Sequence, residues 1–454
     1  MTSSGALDRL YLDHVADLER RYAAVMEKRG LDALVIHSGS PARRSAFDDQ
    51  YWPLRPVPHW QHWLPLAEAD CVLVVRPGAR VTLLRKVEQN FWEKAPEPET
   101  RAFEDAFDMQ RFRDVAEARS LVALLTGGAS DRLALVGDGP GLSAWVVEPA
   151  SVNDPALLAA LDALRVTKTP YEVACLVEAN RRARAGHEAL RDLFRDGDVS
   201  ELDLHLAYLR VTAQDDWETP YKNIVALGPH AATLHHVSYG RLAARRAAES
   251  LLVDAGATCR GYCADVTRTW LKGRGAAASA FEQVVASVEE MQQRLCSAVS
   301  VGMRYEDLHD EAHRQAAAIL HETGIATTSP EETVARGVTR AFFPHGLGHS
   351  LGLQTHDVGC ATRAPRADNP FLRNTTDVVV GQVFTIEPGI YFIPDLLEPL
   401  RATPRGAGVN WALVDTLAPL GGVRIEDDVQ IEGGATVLRN LTREHLPIGG
   451  GRVA

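Results

Sequence analysis

No stretch of this chain approaches the ~18 uninterrupted apolar residues of a membrane-spanning helix, which argues against an integral membrane protein. Cysteine is sparse, six in 454 residues, scattered at 71, 175, 259, 263, 296 and 360. That is no disulfide framework for a chain of this length. Cys259 and Cys263 lie close together without a second pair, so they read as inert core or turn residues. No basic run offsets a formal net charge of −12, which argues against nucleic acid as a partner. The opening MTSSGALDRLYLDHVADLERR carries charges where a secretory signal needs an apolar stretch, so a cytoplasmic location is expected. What remains, 46% hydrophobic and 24% charged, is the composition of a soluble globular protein. The length suits roughly two or three domains.

The first third alternates helical and strand patterns. Residues 7–29 are amphipathic and end at Gly30. LDALVIHSG then reads as a buried strand, VLVVRPGARVTLL as a hairpin around Pro77-Gly78, and RLALVGDGPG as a strand closed by glycines. This predicts an α/β domain over residues 1–160. Tyr51, Trp52, Trp60, Trp63, Phe91 and Trp92 crowd one stretch of it, either as local packing or as an apolar wall for a small ligand. Thr169-Pro170 is an N-cap followed by a first-turn proline, and Leu176, Ala183, Leu190 and Phe194 recur at helical spacing until Gly197. Ser200 with Asp203 opens another helix. From about Glu218 strand-like segments dominate, interrupted by helical material at 277–323. The expected class is therefore α+β, with a larger catalytic domain over 161–454.

Within those strands lie four acids and a histidine where metal ligands would sit: Asp254 in LLVDAG, Asp265 in ADVTRT, His349 in PHGLGHSLGL, Glu387 in TIEPGIYF and Glu426 in VRIEDD. Buried carboxylates are costly without a positive partner, so the pattern asks for a cation. Oxygen-rich ligation with one imidazole suits a hard divalent ion such as Mn²⁺ better than structural zinc. Folding ESLLVDAGATCRGYCADVTRTWLK as a hairpin about its central loop would oppose Asp254 to Asp265, with Cβ atoms about 5 Å apart. Period two groups Arg424, Glu426 and Asp428 on one face. Arg424 there serves either as a hydrogen-bond partner of the glutamate or as an anion receptor.

His345 and His349 are four apart, but Gly346, Gly348 and Gly352 disfavour a helix and no zincin glutamate is present. On spacing alone either histidine could be the ligand. His356 adds a candidate proton carrier, and His235 in AATLHHVSYG a further candidate. Two ions bridged by carboxylates would convert a shared water to hydroxide near neutral pH and polarise a carbonyl or phosphoryl oxygen. A glutamate touching both a metal and the leaving group can relay the proton.

VDAG…ADVTRTW, PHGLGHSLGLQTHD, TIEPGIYF and VRIED, in this order, resemble the pita-bread metallopeptidases, and among them the bacterial prolidases (Xaa-Pro dipeptidases) and the related organophosphorus acid anhydrolases. LDALVIHSG, FDDQYWP, NFW and TPYKNIVAL extend the resemblance over essentially the whole chain. It implies a C-terminal pita-bread domain with a creatinase-like N-terminal α/β domain, and two divalent ions, Mn²⁺ foremost with Co²⁺ or Zn²⁺ as alternatives. Asp265 and Glu426 would bridge them, Asp254 would complete one ion, and His349 with Glu387 the other. Glu387, His235, His356 and Arg424 match catalytic positions. Arg373, His345, Tyr221, Trp92 and Asp48 or Asp49 match residues lining the substrate. A buried guanidinium at 373 would read the carboxylate that follows the scissile bond. The resemblance also implies a homodimer, an Xaa-Pro dipeptide substrate, and an accompanying activity on organophosphate triesters. An aminopeptidase P would share all five ligands yet accept longer peptides; a non-catalytic binding protein on this fold would be expected to lack them. His236 stands where relatives often show Tyr, Cys360 where Gly is usual, and 360–372 is short and arginine-rich, departures that bear on fine substrate preference.

Overall fold

The computed structural model describes residues 4–87, 98–128, 131–139, 141–146, 149–242, 248–358, 363–434 and 437–453. Contacts divide the chain into two compact units, Met1–Ala174 and Cys175–Ala454.

The first unit is built on a six-stranded mixed sheet. Its strands are β1 (Ala33–His37), β2 (Val72–Val75), β3 (Thr82–Lys86), β4 (Asp108–Phe112), β5 (Leu133–Val136) and β6 (Ser151–Val152), in spatial order β4-β3-β2-β1-β5-β6. The apolar runs ALVIH, VLVV and LALV are buried along their whole length, as strands covered on both faces require. Helix Ser4–Lys28 precedes the sheet and stops before Gly30, whose φ of 66° suits a residue without a Cβ. Of the crowded aromatics, Trp60 and Trp63 are fully buried core, whereas Phe47, Tyr51 and Trp52 are exposed. Arg43 and Arg44 lie over the Tyr51 and Trp52 rings. Phe91 and Trp92 lie outside the described residues. Asp48 is half-buried and Asp49 exposed; Asp48 caps a turn by accepting from the Gln50 backbone N–H at 3.0 Å.

The second unit carries the remaining strands: β7 (Ile224–Leu227), β8 (Ser250–Asp254), β9 (Thr258–Cys259), β10 (Tyr262–Cys263), β11 (Thr267–Leu271), β12 (Val383–Ile386), β13 (Gly389–Tyr391), β14 (Gly422–Arg424), β15 (Asp427–Ile431), β16 (Leu438–Asn440) and β17 (Gly450–Arg452). They form a four-stranded sheet β17-β11-β8-β7, a three-stranded sheet β12-β15-β16, and the pairs β9-β10 and β13-β14. Isolated bridges Thr267↔Glu426 and Ser350↔Phe384 stitch these together around the functional residues. Helix Ala276–Ala298 packs on helix Tyr305–Glu322 and on β12 to β14. Their apolar faces join Phe384, Ile386, Ile390, Val423 and Ile425 in one hydrophobic core. Ser200 and Asp203 form the expected reciprocal cap of helix Glu201–Thr212.

The register of the β8–β11 hairpin differs from expectation. Asp254 pairs with Thr267, not with Asp265. The turn is a two-residue loop at Arg260-Gly261, both with positive φ (48° and 84°), which matches the twist of the flanking strands. Tyr262 therefore faces Cys259, and every partner is displaced by two residues. A displacement of two keeps the side chains on their original face, so the aspartates remain diagonal neighbours. Gly256 makes this approach feasible: a Cβ there would run into the Ala264 carbonyl.

Candidate metal centre

Four strand ends deliver the functional groups to one buried point. Asp254 closes β8, Asp265 precedes β11, Glu387 follows β12, and Glu426 lies between β14 and β15. His349 arrives on the irregular segment 344–352, where the Thr385 N–H donates to the His349 carbonyl at 2.9 Å. Gly348 is what lets that segment lie so close: a Cβ would meet the Thr385 carbonyl and the Tyr305 hydroxyl.

Of the two histidines that spacing left open, His349 is the one that faces three of the acids. His349 Nε2 lies 3.3 Å from Asp265, 3.7 Å from Glu387 and 3.9 Å from Glu426, while Nδ1 is 3.1 Å from the Ser350 carbonyl. An Nδ1–H donated to that carbonyl fixes the tautomer that turns Nε2 toward the acids. His345 instead places Nε2 2.8 Å from the Tyr391 hydroxyl, and its Nδ1 is 3.7 Å from Glu387. Asp265, His349 and Glu426 form a ligand-type group whose donor atoms all lie within 4.8 Å of one another. The Tyr221 hydroxyl bridges Asp254 (2.6 Å) and Asp265. One hydroxyl has a single proton, so the second of these contacts needs a proton on a carboxyl.

The electrostatics say the same. Burial pushes Asp254 up despite the Arg424 charge beside it, with Asp265 reinforcing the shift. Burial, then Asp265 and Glu387, raise Glu426 far above the carboxylate range. Glu387 is pushed up to about 7 by burial, against the pull of His349 and Arg424. Burial opposes charge on His349, but the hydrogen bond and charge of Asp265 hold it up to about 9. Asp265 feels the same burial yet is lowered by its bond to His349. Without an ion, then, Asp254, Glu387 and Glu426 are biased toward retaining protons, while Asp265 pairs with His349. A divalent cation replaces those protons, and the donor set, carboxylate oxygens with one imidazole, fits it.

Around this point lie supporting groups. The Arg424 guanidinium donates to Asp254 (2.5 Å), Tyr391 (2.9 Å) and Thr267 (3.2 Å), so its carboxylate partner is Asp254 and not the glutamate two residues along the chain. Asp428 accepts from the Asp265 backbone N–H at 3.1 Å and from Asn180 at 2.7 Å. Thr267 donates to Glu426 at 2.7 Å. Behind Glu426, the Arg268 guanidinium donates to its carbonyl (2.8 Å) and to buried Asp427 (2.8 Å). Sequence reasoning passed over Tyr391, Thr267, Asn180 and Arg268. Period two from Asp265 pointed to Thr267; Asn180 comes from a distant helix and left no local signal.

At the rim, the His349 and His356 rings are 4.4 Å apart at 80°. Burial, then His349 and Arg373, lower His356 to about 4. Arg373 Nη1 lies 3.0 Å from His356 Nδ1. The guanidinium expected to be buried is instead exposed, because Arg373, like Phe371, points outward from a segment whose Leu372 and Asn374 are buried. His235 is exposed too, and its charge bears on both His345 and His356.

Convergent acids and one imidazole on strand ends, with a glutamate poised near neutrality, define a metal-dependent hydrolase, and the comparisons with known proteins agree. Residues 174–433 match the family model of metallopeptidase family M24, and the chain belongs to that family. Residues 9–162 match the N-terminal domain of Xaa-Pro dipeptidases. The Xaa-Pro dipeptidase of Marinobacter nauticus is 42% identical over 434 residues, covering 95% of this chain and 97% of the relative. That of Xanthomonas campestris is 39% identical, with coverage of 96% and 98%. Aminopeptidase P from E. coli, in its low-pH form, superposes with a TM-score of 0.72 at 22% identity over 95% of each chain. Proline aminopeptidase P II from Yersinia pestis gives 0.71 at 23%, over 95% of this chain and 96% of that one. These two share the fold, an α+β pita-bread domain preceded by an N-terminal domain. Among the described residues no helix is long and apolar enough to cross a membrane.

Proposed function

We propose that this protein is a metal-dependent dipeptidase that cleaves Xaa-Pro dipeptides. The observation that carries the reading is the convergence of His349 Nε2 with Asp265, Glu387 and Glu426, on a chain 42% identical to an Xaa-Pro dipeptidase over almost its full length. Asp265 and Glu426 would bridge two divalent ions, with Asp254 on one and His349 with Glu387 on the other. When bound, the ions supply an activated water and polarise the scissile carbonyl.

The chain's own groups do the rest. Glu387 would take a proton from the nucleophile and return it to the prolyl nitrogen. With Nδ1 of His356 occupied by Arg373, its proton sits on Nε2, a neutral donor suited to the developing oxyanion. His235 shares that work. Arg373, at the exposed rim, receives the substrate carboxylate, and His345 and Tyr221 line the pocket. Arg424 orients Asp254 and favours its charged form.

Mn²⁺ is the proposed ion, from the predominance of oxygen donors, with Co²⁺ or Zn²⁺ as substitutes. We assign residues 1–160 to the creatinase-like domain and 161–454 to the catalytic one. Asp48, Asp49 and Trp92 are assigned to substrate binding, within a cytoplasmic homodimer that engages neither nucleic acid nor membrane. A side activity on organophosphate triesters would use the same nucleophile. Metal analysis combined with Ala-Pro and Ala-Pro-Ala assays tests the proposal. Two ions per chain and hydrolysis confined to Ala-Pro are expected. Preference for the tripeptide would instead indicate an aminopeptidase P.

A further inference from the structure

A second group of ligand-type side chains lies in the same unit but shares no residue with the centre above: Glu201, His230 and His236. Glu201 is 2% exposed, and each of its oxygens is held by one backbone N–H. Leu227 N–H donates to Oε1 at 3.0 Å and Gly240 N–H to Oε2 at 2.8 Å. Burial works against its charge, and these two amide bonds, with the histidines, outweigh it to keep the carboxylate ionised. His230 Nδ1 stands 2.6 Å from Oε1 and His236 Nε2 stands 2.9 Å from Oε2. The two rings stack, with centroids 4.5 Å apart and planes at 28°. All three donor atoms fall within 4.8 Å of one another.

We propose that Glu201, His230 and His236 form a separate divalent-metal site of the zinc class, open to solvent at its remaining position. Two imidazole nitrogens with one carboxylate oxygen are the donors of open zinc sites, whereas Mn²⁺ prefers the oxygen-rich centre. Ordering a half-exposed side chain such as His230, 54% accessible, costs rotamer entropy, and the same exposure gives an ion its route in. The amide bonds from Leu227 and Gly240 are the outer contacts that orient a metal-binding carboxylate. Those amides bracket the segment that carries His235, so an ion here pins that segment at both ends. The site would thereby couple zinc availability to the placement of His235.

The test uses enzyme loaded with Mn²⁺, desalted, and titrated with Zn²⁺ at limiting concentration, with both metals measured by mass spectrometry. Wild type is expected to retain about one zinc per chain with its manganese content unchanged. His230→Ala and His236→Phe should each weaken zinc binding about tenfold or more while leaving manganese untouched. His230 is half-exposed, so its removal keeps the comparison valid even if His236→Phe folds poorly. Equal zinc retention in wild type and variants, or zinc taken up only as manganese is displaced, would overturn the assignment and leave a hydrogen-bonded clasp.

Discussion

Arg373 Nη1 faces His356 Nδ1, which leaves the imidazole proton on Nε2 and ties two rim residues into one device. In the proposed reaction a substrate carboxylate would share the Arg373 guanidinium with Nδ1, so the imidazole would respond to the same event that fills the pocket. Exposure screens the guanidinium, so its contribution is smaller than a buried one would give. Arg373→Ala is expected to lower kcat/KM for Ala-Pro about tenfold, and to alter hydrolysis of a triester, which has no carboxylate, far less. Equal losses on both substrates would show that Arg373 supports the site rather than reads the carboxylate. Asp265 sits at the other extreme of burial. Asp265→Asn should fold yet lose metal and nearly all hydrolysis, as metal analysis and Ala-Pro assay would record; full activity would refute its role as a bridging ligand. At this scale the sequence was informative wherever a ligand sits in a strand, since alternation alone grouped Arg424, Glu426 and Asp428. It was silent on Asn180 and Arg268, whose importance arises from contacts across more than a hundred positions of chain.

Elements hold these side chains by backbone approach as much as by packing. Segment 344–352 carries His349 against β12, and the Thr385 carbonyl leaves no room for a Cβ at position 348. Gly348→Ala must therefore push the histidine segment off the strand, at a cost of about 1–3 kcal/mol for such overpacking. A fall in Tm accompanied by a larger loss in metal affinity is expected, and unchanged metal binding would show that the segment yields without moving His349. The hairpin teaches a related lesson. Its two strands and a loop between them were legible in the pattern, but the register was read two residues out. Turn geometry, with positive φ at both loop positions, decides register, and sequence pattern decides only the face. The face was right, so the aspartates still meet.

For the whole molecule the four acids are a standing liability that metal binding relieves. In the metal-free protein His349, Glu387, Glu426 and Asp254 all have raised folded-state values. Groups raised in this way contribute stability that is present below their unfolded values and is lost as pH rises through the folded ones. Glu387 thus withdraws stability from about 4.5 up to about 7, and His349 from about 6.5 up to about 9. Each group in its window changes stability by up to about 1.4 kcal/mol per pH unit. Asp265 and Asp427, which are lowered, act oppositely in acid, and so, up to about 6.5, do the histidines that burial lowers, His187, His309, His313 and His345 among them. The metal-free enzyme should accordingly melt at progressively lower temperature between about pH 7 and about pH 9. Bound ions compete with the very protons whose loss causes that decline, so the rise in Tm on adding Mn²⁺ should grow over the same interval. Thermal melts of chelator-treated and Mn²⁺-loaded protein across this range provide the measurement. A metal-induced rise that stays flat, or shrinks, as pH increases would mean that these acids do not exchange their protons for metal.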